Sequence, residues 1–125
     1  MTKRILLIDD EDGARQITQF SLETAAGWEV LTASSGREGL EIAAVELPDA
    51  ILLDVMMPDL DGPATYQRLQ ENAATRAIPV IMLTAKASPA EHQPLLQMGI
   101  AGIITKPFKI PFLIARIQEI LGWNH

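Results

Sequence analysis

The chain has no cysteine among its 125 residues. That excludes disulfides, thiolate metal sites and thiol nucleophiles, and fits a cytoplasmic protein. No apolar run approaches the ~20 residues that cross a bilayer, so no membrane contact is expected. Only Ile5-Leu6-Leu7-Ile8 separates the basic start Thr2-Lys3-Arg4 from Asp9, too short a stretch for a signal peptide. A basic excess is absent too: the formal net charge is -6 and the pI is near 4.8, which argues against nucleic-acid binding by this chain, since phosphate neutralisation needs a cationic face. There is no internal repeat, linker or low-complexity segment. What is present is a globular composition, 48% hydrophobic and 21% charged, in a length that suits one domain over residues 1–125.

Five short apolar runs are evenly spaced: Ile5-Leu6-Leu7-Ile8, Val30-Leu31, Ile51-Leu52-Leu53, Val80-Ile81-Met82-Leu83 and Ile103-Ile104. Most lack polar alternation, the signature of strands buried on both faces. Helical patterns lie between them. The first strand is expected at about 4–8, a helix at about 13–26 stopped by Gly27, a strand at about 28–33, and a helix capped by Ser34-Ser35 that runs to Pro48. A third strand follows at about 50–54, and then the turn-rich Met57-Pro58-Asp59-Leu60-Asp61-Gly62-Pro63 leads into a helix carrying Tyr66 and Leu69. The fourth strand comes after Pro79. Ser88-Pro89-Ala90-Glu91 matches a capping box with proline at the first helical position. Pro94 should then kink that fourth helix or delay its start, because it removes one bond and crowds the Ala90 carbonyl. Gly99 and Gly102 frame the approach to the fifth strand, and Lys106-Pro107-Phe108 turns into a last helix ending near Gly122. Five βα units give a (βα)5 doubly wound α/β fold with a parallel sheet.

Asp9, Asp10, Asp54, Asp59 or Asp61, Thr84 and Lys106 fall just beyond the strand ends. In an open parallel sheet those ends share one edge, where distant residues converge. Adjacent carboxylates facing a third repel one another unless a cation lies between them, and a hard divalent ion such as Mg²⁺ suits a few oxygen ligands plus water. A carboxylate is also a competent nucleophile toward phosphorus. Asp54, ending the central strand, is the best-placed candidate, with Thr84 and Lys106 able to stabilise phosphoryl oxygens. Taken singly, each residue reads more readily as a solvated loop residue or a cap; the ordered set carries the functional reading. Asp61 before Gly62-Pro63 suits a helix N-cap, Asp59 a turn, and Asp12 the N-cap of the first helix, with Glu11 open. His92 and His125 lack metal-ligand spacing and are expected on the surface.

The segments Ile5-Leu6-Leu7-Ile8-Asp9-Asp10-Glu11, Leu52-Leu53-Asp54-Val55-Met56-Met57-Pro58-Asp59-Leu60-Asp61-Gly62, Leu83-Thr84-Ala85 and Thr105-Lys106-Pro107-Phe108 resemble, over essentially the whole chain, the receiver domain of bacterial two-component response regulators, in particular chemotaxis-regulator-like single-domain receivers. The resemblance implies a flavodoxin-like sheet of order 2-1-3-4-5 with its site at the topological switch point. It implies Asp54 as phosphoacceptor and Mg²⁺ (or Mn²⁺) held directly by Asp10, Asp54 and the Met56 backbone carbonyl, with Asp9 acting through water. Thr84 and Lys106 match the phosphoryl-contacting hydroxyl and ammonium, and a cis Lys106-Pro107 bond is implied as well. The implied partners are a sensor histidine kinase or phosphotransfer protein as donor and a downstream protein target or effector domain. A homodimer through the fourth helix, fifth strand and fifth helix is a further possibility of the family. Such a protein catalyses its own phosphorylation without being a turnover enzyme.

Two departures bear on mechanism. Many receivers carry Tyr or Phe three residues before the lysine, where this chain has Ile103, so the switch involves repacking of Ile103 or a backbone shift of the loop after the fourth strand. Met56 and Lys86 flank the phosphoryl position from opposite sides, and neither orients a water well, so phosphate loss should be slow. Three alternatives compete. Asp59-Leu60-Asp61-Gly62 resembles the start of haloacid-dehalogenase-type phosphatases, but four residues separate Asp59 from Asp54. A pseudo-receiver acting only as an interaction module is opposed by the complete residue set. A nucleotide-binding module lacks a glycine-rich loop after the first strand. The chain starts at Met and stops soon after the last helix, which leans toward a stand-alone receiver over the excised domain of a larger regulator.

Overall fold

A computed structural model describes residues 2–123. The elements alternate strictly: β1 Arg4–Ile8, α1 Asp12–Ala26, β2 Glu29–Ala33, α2 Gly36–Glu46, β3 Ala50–Asp54, α3 Gly62–Glu71, β4 Val80–Thr84, α4 Pro89–Leu96, β5 Gly102–Thr105 and α5 Ile110–Leu121. The strands form one parallel sheet in the order β2-β1-β3-β4-β5, the flavodoxin-like arrangement expected from the sequence.

The period of two along each strand sends alternate side chains into two separate cores. Ile5, Leu7, Leu52, Ile81, Leu83 and Ile104 pack with Leu22 of α1 and Leu113 and Ile117 of α5. Leu6, Ile8, Ile51, Leu53, Met82 and Ile103 face the other way, toward Ala43 of α2 and Tyr66 and Leu69 of α3, with Leu95 and Met98 packed beside them. In β3 and β4 every side chain, and in β1 every one but Arg4, is thus buried, while the edge strand β2 buries only Val30 and Ala33; each buried Leu or Ile contributes about 1.5–3 kcal/mol. This double burial is why the strands read as unbroken apolar runs.

Helix ends follow local chemistry. Gly27 adopts φ 73 and closes α1, its N–H donating to the Glu23 carbonyl. Ser35 caps α2 by accepting the Glu38 N–H at 3.1 Å, while the Glu38 carboxylate takes the Ser34 N–H. Asp61 caps α3 through the Ala64 N–H at 2.9 Å. The first helix departs from expectation: its N-cap is Glu11, with no side-chain cap bond, and Asp12 is already helical. The Asp9 carboxylate takes the Glu11 N–H at 2.9 Å, which draws the chain into the helix one residue early; Asp12 instead pairs with Arg15 one turn on.

At the far end of the sheet Trp28 and Trp123 meet edge to face with centroids 5.3 Å apart, and Lys3 lies over the Trp123 ring. Gly122 at φ 70 makes this turn possible, and the Trp123 N–H reaches the Gln118 carbonyl at 2.9 Å. Among the described residues no helix is long and apolar enough to cross a membrane.

Pro94 does not delay α4, which starts at Pro89 behind its Ser88 cap. Both Pro94 and Ala90 are exposed, so the carbonyl that loses its helical partner is left to water, the cheap way to accommodate such a proline. The helix is short, and none of its residues is fully buried.

Gly62 is required by a close approach of two backbones. A Cβ there would stand 2.7 Å from the Asp54 carbonyl oxygen and 2.8 Å from Val55 Cα, neither of which can rotate aside. Gly62→Ala should therefore cost ~1–3 kcal/mol of stability in urea unfolding, whereas Gly13→Ala, with nothing within 4 Å, should gain ~0.5–1 kcal/mol as a helical glycine replaced. Equal stabilities for the two variants would contradict this packing.

Candidate functional site

Register brings the site together. Ile8 of β1 lies beside Leu53, Leu53 beside Met82, and Thr84 beside Thr105, so four strands end nearly level. The ladder continues past them: Asp9 N–H donates to the Ala33 carbonyl at 3.1 Å, Val55 to Leu83 at 3.0 Å and Lys106 to Thr84 at 2.7 Å. Each functional residue is thus held by backbone bonds at the sheet edge, beside the crevice where the strand order reverses.

Asp9, Asp54 and Thr84 are buried at 3%, 7% and 2% exposure, and Asp10 is exposed. Asp9, Asp10 and Asp54 each offer a carboxylate oxygen, all within 4.8 Å of one another. Lys106 Nζ is 3.3 Å from Asp54 Oδ1 and 4.0 Å from Asp9 Oδ2. One ammonium facing three carboxylates leaves the cluster short of positive charge. Burial pushes the Asp54 carboxyl above its ordinary value; Lys106 pulls it down, Asp9 pushes it up again, and the Met56 N–H pulls it down a little. A cleft of about 520 Å³ bounded by Asp10, Glu11, Asp54, Met56, Ala85 and Lys106 opens over the cluster. A second recess of about 500 Å³ shares Asp9, Glu11, Ala85 and Lys106 and runs between α1 and α5 past Ile17 and Phe108.

The donor set suits a divalent cation. An octahedral ion with oxygen ligands at ~2.1 Å spans ~4.2 Å between trans positions, close to the spread of these carboxylates, and such an ion would relieve their mutual repulsion. Asp59 and Asp61 stand apart. Asp59, at φ 68, pairs with Arg37 at 2.7 Å, which holds its carboxyl below the usual range, and Asp61 is occupied as the α3 cap. The geometry therefore gives no support to a phosphatase centred on that pair.

Ile103 lies in the core under α4, 9% exposed and beside Met82 in the sheet. Leu113 is likewise core, Ile110 is half-buried, and Phe112 of α5 is 53% exposed. Met56 lines the cleft and is 69% exposed. The Lys86 ammonium turns instead to Glu91, 3.7 Å away, so the two do not flank the cleft symmetrically. Lys106-Pro107 is cis. Two contributors carried no sequence signal. Arg15 donates to the Asp9 carbonyl at 2.9 Å, through a fold of the loop that only the structure reveals. His92 lies at the surface, partly exposed, but is not without a partner: its Nε2 is 2.6 Å from the Lys86 carbonyl. His125 lies outside the described residues.

A parallel sheet of this order, with a carboxylate cluster and a lysine at its switch point, defines a flavodoxin-like domain built around an acidic site. The profile of the response regulator receiver domain matches residues 5–118, and the chain belongs to that family. It is 40% identical over 121 residues to the alkaline phosphatase synthesis transcriptional regulatory protein PhoP of Bacillus subtilis, covering 97% of this chain and 49% of that protein. It is 38% identical to the response regulator PleD of Caulobacter vibrioides, covering 96% of this chain and 26% of that protein. The chain thus spans half the length, or less, of these curated relatives. Among solved structures, the chemotaxis response regulator CheY4 of Vibrio cholerae superposes with TM-score 0.90 at 32% identity, covering 96% of this chain and 99% of that one. The receiver domain of a sensor histidine kinase from Pseudomonas aeruginosa, with a magnesium ion coordinated in its active-site cleft, gives 0.86 at 29% identity, covering 98% and 99%.

The raised Asp54 carboxyl has a consequence for stability. A folded state that binds this proton more tightly than the unfolded chain gains from it below the unfolded pKa and loses that gain as pH rises through the folded pKa. Ionised Asp54 is therefore a cost at neutral pH. In metal-free buffer, Asp54→Asn should be more stable than wild type at pH 7 by on the order of 1 kcal/mol, and the difference should shrink on acidification. Thermal melts showing the variant less stable at pH 7 would contradict the assignment.

Proposed function

We propose that this receiver domain accepts a phosphoryl group on Asp54 from a histidine kinase or phosphotransfer protein, with Mg²⁺ or Mn²⁺ bound. The observation that carries the reading is the placement of Asp54 Oδ1, buried yet opening on the cleft, 3.3 Å from Lys106 Nζ. An Asp54 oxygen bonds to phosphorus as the bond from phosphorus to the donor imidazole breaks, and the imidazole nitrogen departs with the electron pair. Lys106 follows the charge from the free carboxylate onto the phosphoryl oxygens, and the Thr84 hydroxyl is the candidate hydrogen-bond donor to them. Asp10, Asp54 and the Met56 carbonyl would hold the metal directly, and Asp9 through water; when bound, the ion neutralises the clustered carboxylates and the incoming oxygens. The recess past the exposed Ile17 offers an apolar margin for the donor protein beside this cleft.

The signal would leave through the face formed by α4, β5 and α5. Movement of the loop after Thr84 would repack Ile103 beneath α4 and alter the surface offered to a downstream protein target, an effector domain or a second copy of the chain. The domain is read as a phosphorylated switch and not a turnover enzyme.

Intact mass after incubation with a small acyl phosphate and Mg²⁺ should rise by one phosphoryl group in the wild type and stay unchanged in Asp54→Asn or in chelator. No gain in the wild type, with metal binding demonstrated, would favour a pure interaction module. Once formed, the aspartyl phosphate should persist for minutes or longer. The Met56 side chain offers no good acceptor to orient an attacking water, and the Lys86 ammonium is engaged with Glu91. Decay within seconds would overturn that part of the reading.

A further inference from the structure

We propose that His92 is a positioning residue that ties the Thr84 hydroxyl to helix α4 and restrains it in the unphosphorylated protein, a role that rests on the phosphoacceptor reading above. The Lys86 peptide is held at both ends. Its N–H donates to Thr84 Oγ1 at 3.1 Å, and its carbonyl lies 2.6 Å from His92 Nε2. A carbonyl only accepts, so Nε2 carries the proton, which it can do in the neutral ring and in the imidazolium alike. His92 in turn sits in the first turns of α4, its own N–H donating to the Ser88 carbonyl at 3.1 Å.

The chain of contacts therefore runs from the switch hydroxyl through one peptide unit to an imidazole fixed on the helix. Lys86 and Glu91 span the same gap, but their 3.7 Å pair is 62% and 44% exposed and contributes little, as exposed ion pairs generally do. The Glu91 N–H meets Ser88 Oγ at 3.2 Å. The imidazole contact is also solvent-exposed, but at 2.6 Å against 3.7 Å it is the shorter side-chain link between the loop Ala85–Ala87 and α4. No fully buried side chain anchors this helix, so α4 is free to move with the loop or to release it.

As long as the Lys86 N–H stays on Thr84 Oγ1, turning the hydroxyl toward a phosphoryl group on Asp54 pulls the Lys86 peptide with it. Either the His92 bond breaks or α4 is drawn along. In the first case α4 is uncoupled from the loop and in the second it is displaced, and in either case the His92 contact is where the loop and the helix are joined.

The test separates loop restraint from phosphoryl chemistry. Amide hydrogen exchange at Lys86 in the unphosphorylated protein should quicken about threefold to tenfold in His92→Ala and His92→Phe, the change expected from loss of one net hydrogen bond. His92→Gln, whose amide reaches the position of Nε2, should restore slow exchange. Phosphorylation by a small acyl phosphate with Mg²⁺ should speed up by a similar factor in the Ala and Phe variants and not in Gln, with melting temperatures close to wild type in all three. Unchanged exchange at Lys86 in Ala and Phe, or acceleration in Gln equal to theirs, would overturn the proposal. Absence of phosphorylation in every protein, wild type included, would sink the phosphoacceptor reading, while the exchange data would still decide the role of His92.

Discussion

Three carboxylates are gathered at one edge of the sheet with a single ammonium among them, and the rest of the structure exists to hold them there. Left to itself such a cluster would disperse, since each charge is better solvated alone. The counterweight is the double core, in which a dozen large side chains, among them Ile5, Leu6, Leu7, Ile8, Ile51, Leu52 and Leu53, are fully buried. At about 1.5–3 kcal/mol each they outweigh a penalty of a few kcal/mol at the site many times over. The strand ends are level because the parallel ladder fixes their register, and the backbone bonds beyond the strands place Asp9, Val55 and Lys106 as firmly as the residues within them.

That same arrangement explains what could be read from sequence. Strands buried on both faces leave long apolar runs, so the first strand at 4–8 and the third at 50–54 coincide with those observed, and the polar residues that end the runs mark the edge where the carboxylates cluster. Ser35, Asp61 and Ser88 announce themselves as caps because their bonds are local. The misses share one cause, a contact between segments whose spacing follows no period. Asp12 loses the cap position because the Asp9 carboxylate captures Glu11 N–H. The effect of Pro94 depended on whether Ala90 faced water, which exposure alone decides. The contact of His92 was not legible because the loop that curls back to present the Lys86 carbonyl carries no sequence pattern of its own.

The two faces of the sheet differ in how firmly they are covered. Leu22, Leu113 and Ile117 bury the side under α1 and α5 completely, and Ala43 and Leu69 do the same under α2 and α3. Helix α4 alone covers its part of the sheet with a half-buried residue, Leu95, joined by Met98 just past its end. Local stability follows buried contacts, so the weakest-held helix is the one whose neighbouring loop follows Thr84. Ile103 lies beneath it as an aliphatic core residue.

Both tryptophans of the chain lie together at the amino edge of the sheet, Trp28 just ahead of β2 and Trp123 just after α5. The clustered carboxylates lie at the other edge, a five-residue strand away, or about 16 Å. Indole emission in this protein is therefore a gauge of whether the α5 end is docked and is nearly blind to events at Asp54. An optical probe of the carboxylate edge would have to be installed there, since the one tyrosine of the chain, Tyr66, lies in α3.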